Sequence, residues 1–553
     1  MNKILEIYEP ALRTIVASYA NAEGFTLQLA KEYADLAVPC FYLAKICKKA
    51  PQQIAQELAQ MCNEQKKQLH IQSAEALNGY VNITLPRSII GDIIIPTSAQ
   101  STLSKKIMIE YSSPNANKPQ HLGHVRNNLL GMSIVRLLEE QNHSVIKANL
   151  VNDKGLGVAK LIYAYQHSLQ KEPDKKTDHF VGDLYVQAEK RLKEHPEEES
   201  QVRDILRKWE EQDKEVRLIW KKLRDYVMQG YEETYKRLGA TFDIIYFESD
   251  IFEDAKGMIE EGLKQGVFTQ DETGAITAQL EPELPNKVVL RADGTSLYIT
   301  NDLILAEKKA QENIDMSVYV VGNEQDLYLQ QLFAILKKLN VPYAEQCFHL
   351  SYGMVNLPEG KMKSREGTVV DADDLMDQMH QFAKEEIMKR SPDLDEAEAA
   401  SRAEIIALGA LKYFMLKTDP KKDMIFNPKE SISFEGETGP YIQYACTRIS
   451  SILSKADEGQ ADLHLLGEEE WQLAKTLAQW SEIKESAAQQ LKPSLIANYC
   501  MQLAQQFNEY YHKTPILKAE ESICQARLAF IRRIKEVLTE GLKLLTIDVP
   551  SKM

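Results

Sequence analysis

Over most of the first seventy positions apolar residues recur at three- and four-residue intervals, as in CFYLAKICKKAPQQIAQELAQMC (40–62), a helical period broken once at Pro51. GYVNITLP (79–86) then alternates as a strand does, and PTSAQSTLSK (96–105) is a polar linker. The pattern changes at KKIMIEY (105–111), a short buried strand. HLGHVRNNLLGMSIVRLLEEQN (121–142) is a helix with its apolar residues on one face, and SVIKANLV (144–151) is a second strand. Strand, helix, strand at this spacing predicts a βαβ unit, whose ligands sit beyond the carboxyl ends of the strands.

Charged helical sequence dominates from about 165 to 240, and the reading assigns an insertion to about 165–290 of an α/β domain. The alternation of strands and helices returns in FDIIYFES (242–249), KVVLRADGTSLYITND (287–302) and MSVYVVGNEQDLYLQQLFAILKKL (316–339), and closes with LSYGMVNLPEGKMKSREGTVV (350–370). Beyond about 375 strand signals fade and helical periods with short polar breaks run to the end. The expected architecture is a multidomain α/β chain: an N-terminal α+β domain (1–100), a doubly wound, Rossmann-like parallel-sheet domain (101–375), a helical connector (376–439) and an all-helical C-terminal domain (440–553).

Composition narrows the function. A chain of 553 residues exceeds one hydrophobic core. No apolar run approaches the ~18 residues of a membrane span, and the N-terminus lacks the apolar core of a secretory signal, so a cytoplasmic protein is expected. Seven scattered cysteines form no CxxC pair, which argues for reduced thiols and no structural metal. A net charge of -15 excludes a protein that coats nucleic acid through a general basic surface, leaving only local contacts.

The chemistry concentrates at His121, Gly123 and His124. A helix N-terminus favours phosphate through its unpaired N–H groups and partial charge, both imidazoles can lean over that point, and Gly123 removes a side chain where a base or phosphate would approach. This suits a triphosphate whose α-phosphoryl group gathers charge as pyrophosphate leaves. Zinc would require further ligands, and none lies near in sequence. A dinucleotide fingerprint at GLG (155–157) fails because Lys160 stands at its third glycine position. Glu110 at a strand end and Asp302 near a helix start, where Thr300 could cap and the dipole would keep the acid ionised, are candidates to hold a planar, forked cation.

EYSSPNANKPQHLGHVR (110–126) resembles the HIGH signature of class I aminoacyl-tRNA synthetases, in the extended form typical of arginyl-tRNA synthetases. NDKG (152–155), DGTSLYITND (293–302), VVGNEQDLYLQQ (320–331), KMKSREGTVV (361–370) and GETGPYIQYACTRISSI (436–452) match further motifs in the same order. FNEYYHKTPIL (507–517) and the last helical segment resemble the DALR-type anticodon-binding domain, and the N-terminal block resembles the family's extra RNA-contacting domain.

The resemblance implies ATP-dependent attachment of L-arginine to tRNA(Arg) through arginyl-adenylate, with Mg²⁺ accompanying ATP and activation requiring bound tRNA. It implies that Glu110, Asn115, Tyr298, Asp302 and Gln325 hold arginine. His121, His124, Gly123, Met362 and Lys363 would meet ATP, with Lys118, Lys361 and Arg365 among the catalytic groups. Ser364 replaces the usual lysine of the second signature, which leaves the division of work among Lys118, Lys361 and Arg365 open. Tyr510, Tyr511 and His512 can stack anticodon bases, with at least one of the three expected in the core. A monomer is expected. The rivals are a class I enzyme for an apolar amino acid, which the two carboxylates oppose, a non-catalytic RNA-binding paralogue, and a small nucleotidyltransferase, which would have no use for the C-terminal domain.

Overall fold

The computed structural model describes residues 2–553 except 21–22, 31–33, 96–103, 170–171, 252–254, 293–296, 357, 359–369 and 458. The run KIMIE forms β1 (Lys106–Glu110), and its last four residues are buried. It is joined by β2 (Ser144–Val151), β3 (Ile244–Phe247), β4 (Met316–Gly322) and β5 (Cys347–Tyr352) in a five-stranded sheet ordered β5-β4-β1-β2-β3. All four pairings are parallel, with Glu110 opposite Tyr319 on one side and Ala148 on the other. Near-continuous apolar strands suit a sheet covered on both faces. The chain moves outward from β1 to β3 and then returns to build β4 on the opposite side, so a crevice opens beyond the carboxyl ends of β1 and β4.

The helix after β1 is α1 (Leu122–Glu140). The expected insertion at 165–290 is corrected by β3, which lies inside that stretch and is a strand of the main sheet. Two excursions flank it. The first contains α2 (Thr177–Glu194) and α3 (Lys214–Leu238), and the second a three-stranded antiparallel sheet ending at Leu290. The second leads into α4 (Tyr298–Ala310), and α5 (Ala372–Arg390) follows the parallel sheet. After α5 the chain comes back once, pairing Met424–Ile425 with Val355–Asn356.

The C-terminal region packs helices Gly439–Leu453, Glu468–Leu477, Trp480–Gln489 and Pro493–Lys513 with α6 (Glu521–Leu544). Its end is fastened to α1. Ser133 and Arg136 donate to the carbonyls of Leu544 and Lys543, and Lys484 bridges Glu140 of α1 and Glu540 of α6. Lys412, almost wholly buried, donates to the Thr546 carbonyl at 2.8 Å. The N-terminal unit, a helix over Lys3–Tyr19 and a four-stranded antiparallel sheet, rests on this helical region: Trp471 donates to Asp35, and Arg87 joins Asp35 to Glu468. All seven cysteines are free thiols, and no helix among the described residues is long and apolar enough to cross a membrane.

Arg126, fully buried on α1, donates to the carbonyls of Gly353 (2.5 Å), Pro420 (3.2 Å) and Lys422 (2.9 Å). Arg126→Met would strand these carbonyls away from water, at a cost of about 3 kcal/mol. Chemical denaturation should show that loss, and hydrogen exchange should show the opening concentrated at 353–354 and 420–422.

Candidate active site

β1 ends on Glu110, and the chain leaves it through Ser112 and Ser113, both left-handed with φ of 74° and 46°. That conformation is costly for a residue with a Cβ. Three side chains fix it: Asn127 of α1 accepts from the Ser112 N–H, Asn149 of β2 from the Ser113 N–H, and Tyr235 of α3 shares a bond with the Ser112 hydroxyl. The turn is therefore set before the chain reaches the histidines.

His121 is the N-cap of α1. Its Nδ1 accepts from the Gly123 N–H at 3.1 Å, and the Nδ1 of His124 accepts from the His121 N–H at 3.1 Å. The two rings lie 3.9 Å apart between centroids. The Leu122 N–H goes to the Val370 carbonyl, and those of His124 and Val125 to the His121 carbonyl. This corrects the sequence expectation of bare amides facing phosphate, because the first-turn donors are already bonded. With both Nδ1 atoms accepting, each neutral ring carries its proton on Nε2, and these are the donors left for a ligand. Burial, with Lys118 nearby, pushes His121 down to about 4 and His124 well below its ordinary value, so both are neutral donors at pH 7. Gly123 also has a different role from the expected one: a Cβ there would lie 2.9 Å from the His121 ring, so the freed space holds the imidazole rather than a ligand.

Both described stems of the 357–369 stretch are fastened to α1. Before it, Gly353 and Met354 accept from Arg126. After it, Val370 accepts from Leu122, the Ala372 N–H donates to the Gln120 carbonyl, and Asp371 bridges His121. Lys361, Met362, Lys363 and Arg365 lie outside the described residues.

In the crevice a cavity of about 520 Å³ brings together Glu110, Asn115, Tyr298, Asp302 and Gln325. Asp302 accepts from the Tyr328 hydroxyl, a partner not singled out from sequence. Because α4 starts at Tyr298, Asp302 lies beyond the first turn, where the dipole is weak. Thr300 bonds back to the Leu297 N–H instead of capping ahead of the acid. The expectation that the dipole keeps Asp302 ionised is accordingly corrected: burial, reinforced by the charge of Glu110, pushes it up to about 7 against the Tyr328 bond.

Glu110 is not a free carboxylate. Lys309, fully buried on α4, lies 2.7 Å away and over the Tyr319 ring, and although burial alone would lower its pKa, Glu110 raises it. Glu248, just after β3, is a buried third acid of the cavity that accepts from Asn301 at 2.9 Å. Sequence reasoning missed it. The available signal was its place at a strand's carboxyl end, equivalent to that of Glu110.

A second cleft of about 1240 Å³ shares Asn115, Asn152 and Tyr298 with the first cavity. His121, Lys118 and Lys154 line one side, and Lys175, His179 and Lys190 line the other, at and before α2. Burial lowers the Lys118 pKa, and Lys118 makes no ion pair with any described residue. The geometry therefore places an acidic cavity against a basic cleft, with Tyr298, 68% exposed, on the wall between them.

In the C-terminal helices Tyr510 is buried and donates to Glu470, so it has no face for a base; its expected stacking role is corrected to core packing. Tyr511 is exposed, with the Arg448 guanidinium 5.1 Å from its ring centre and Tyr444 bonded to that guanidinium. His512 is exposed.

A parallel sheet with a histidine-capped helix at its switch point, followed by a helical C-terminal region, has the architecture of a class I tRNA synthetase. The description "tRNA synthetases class I (R), catalytic domain" matches residues 92–428, "Arginyl tRNA synthetase N terminal domain" matches 6–85, and "DALR anticodon binding domain" matches 442–553. Arginine--tRNA ligases of Parabacteroides distasonis and Treponema denticola are 40% and 41% identical to this chain. The matches cover 95% and 93% of this chain, and 94% and 92% of those proteins. The solved arginyl-tRNA synthetase of Thermus thermophilus superposes with a TM-score of 0.83 at 28% identity, over 99% of each chain. The chain belongs to the arginyl-tRNA synthetase family.

Gly123→Ala should displace the His121 ring and break its bond to the helix amide. The expected outcome is a loss of about tenfold or more in turnover with thermal stability nearly unchanged, read by single-turnover kinetics beside a melting curve.

Proposed function

We propose that the protein attaches L-arginine to tRNA(Arg) at the expense of ATP. The observation that carries this reading is the gathering of three acids, Glu110, Asp302 and Glu248, in one cavity beside the His121 cleft, with only Glu110 in a salt bridge, to Lys309, and Lys287 over the Tyr328 ring. A guanidinium brings positive charge and a planar set of donors to Asp302 and Glu248, whereas an apolar side chain would leave both acids desolvated with only their neutral partners, Tyr328 and Asn301.

In this reading arginine sits with its guanidinium toward Asp302 and Glu248, while Glu110 acts through its ion pair with Lys309. Tyr298, Asn115 and Gln325 close the cavity around the rest of the amino acid. Its carboxylate reaches across the shared wall to the α-phosphorus of ATP, where a carboxylate oxygen forms the new P–O bond as the bond to pyrophosphate breaks. The Nε2–H groups of His121 and His124 and the ammonium of Lys118 stabilise the developing charge, and Lys361, Lys363 and Arg365 serve the departing pyrophosphate. Mg²⁺ travels with the nucleotide. The adenylate then passes its acyl group to a terminal ribose hydroxyl of the tRNA, with release of AMP and no covalent enzyme intermediate. Tyr511 with Arg448 offers a stacking surface to an unpaired base, and the unit acts as a monomer in the cytoplasm.

Aminoacylation of total tRNA with each of the twenty amino acids tests the reading: arginine alone should be incorporated, and incorporation of leucine, valine or isoleucine instead would overturn it. Asp302→Asn should lower kcat/KM for arginine by about a hundredfold or more, since losing one member of a desolvated charged contact costs ~3 kcal/mol. The free site holds a proton on Asp302 below about pH 7 and arginine needs the ionised form, so affinity should fall as pH drops through 7. Calorimetric titration should show this slope in the wild type and not in Asp302→Asn. Tyr511→Ala should raise the KM for tRNA about tenfold with little change in kcat, as loss of one base stack predicts.

A further inference from the structure

Where α2, α3 and α5 meet, a charged cluster lies beside the His121 turn, with His179 and Asp371 also on the wall of the larger cleft. Asp373, in the first turn of α5, accepts from Lys176 at 2.5 Å, from His179 at 3.1 Å and from Thr234 of α3 at 3.2 Å. Lys176 also reaches Thr234 at 2.5 Å and Asp178 at 3.3 Å. His179 lies 3.5 Å from Asp371, the N-cap of α5, which accepts from the Asp373 and Asp374 amides. Asp178 is fully buried so close to α3 that a Cβ on Gly230 would lie 2.3 Å from its carboxylate. Asp178, His179 and Asp373 have the spacing of a metal-ligand set, but the Lys176 ammonium already supplies the positive charge there.

Resting on the proposed reaction, we infer that His179 and Lys176 are positioning residues: through Asp371 and Asp373 they hold the start of α5 against the His121 turn and so fix the phosphate-facing imidazoles. Backbone bonds link the two sides, since residue 371 bridges His121 and the flanking residues exchange the Leu122–Val370 and Ala372–Gln120 hydrogen bonds. A shift of α5 moves His121 with it.

The groups facing His179 are Asp371 and Asp373 from α5, with Asp178 and Lys176 from its own end of α2. Its bond to Asp373 and the other two acids raise its pKa above the ordinary value against burial. Asp373 is held down at about 2 because its bonds to His179 and Lys176 outweigh its burial. With His179 protonated, two cations face three carboxyl groups. Once it is deprotonated, only Lys176 remains. The sign is fixed: the tie is complete at low pH and weakens as pH rises through the His179 pKa.

Single-turnover aminoacylation by the full chain tests this. His179→Gln should lower the rate about tenfold at pH 7 while the KM for arginine stays within about twofold. The wild-type rate should fall on the alkaline side with an inflection above about pH 6.5, and that limb should be missing from His179→Gln. His179→Lys, charged throughout this range, should recover rate and keep it at high pH. A His179→Gln enzyme with wild-type rate, or one that retains the alkaline limb, overturns the inference. Should His179→Gln not fold, a wild-type rate independent of pH from about 6.5 to 9 overturns it by itself. Failure of the wild type to charge tRNA with arginine would instead strike the proposed function.

Discussion

Carboxylates taken out of water without a partner are held at a cost that the rest of the fold must offset. In the crevice beyond β1 and β4 three acids, Glu110, Asp302 and Glu248, meet two lysines: Lys309 pairs with Glu110, and Lys287 lies over the Tyr328 ring. Burial, with the charge of Glu110 added, disfavours the ionised form of Asp302, as its raised pKa records. A positively charged ligand relieves this penalty, and an uncharged one of the same shape does not. Selectivity on this view is less a matter of fit than of which ligand restores neutrality to a dry cavity.

The same constraint governs the His121 side. The first turn of α1 bonds its own amides, so the histidine rings act as extensions of the helix end, presenting donors further from the backbone. Arg126, one turn along, and the Leu122 and Gln120 backbone groups hold both stems of the stretch that carries the second basic motif. Stems that lie far from α1 in sequence thus take their positions from that one helix.

Much of this was legible in the chain. The buried run KIMIE, the helical period after His121 and SVIKANLV mark β1, α1 and β2 because local periodicity reports local burial. The ordered motifs lead to the acids and imidazoles of the site. What sequence could not supply was pairing at a distance. Glu110 reads as an available acid until Lys309 is found beside it, and Glu248 reads as an ordinary charge after a strand. Gly123 suggests space for a ligand, although the adjacent histidine occupies it. Tyr510 and Tyr511 are neighbours with the same side chain, and only the helix's orientation in its bundle decides that one is core and the other exposed. In the 165–290 stretch FDIIYFES reads as a strand, but its pairing beside β2 in the main sheet, which ends the first excursion before 244, is a contact at a distance.

α1 has one further property. Its 19 residues span ~28 Å without a proline, with the imidazoles at one end and the carbonyls of Lys543 and Leu544 seated on the other. A strut of this kind has no soft joint, so the end of the last helix and the His121 turn are referenced to one rigid rod, and neither can tilt relative to the other without bending it.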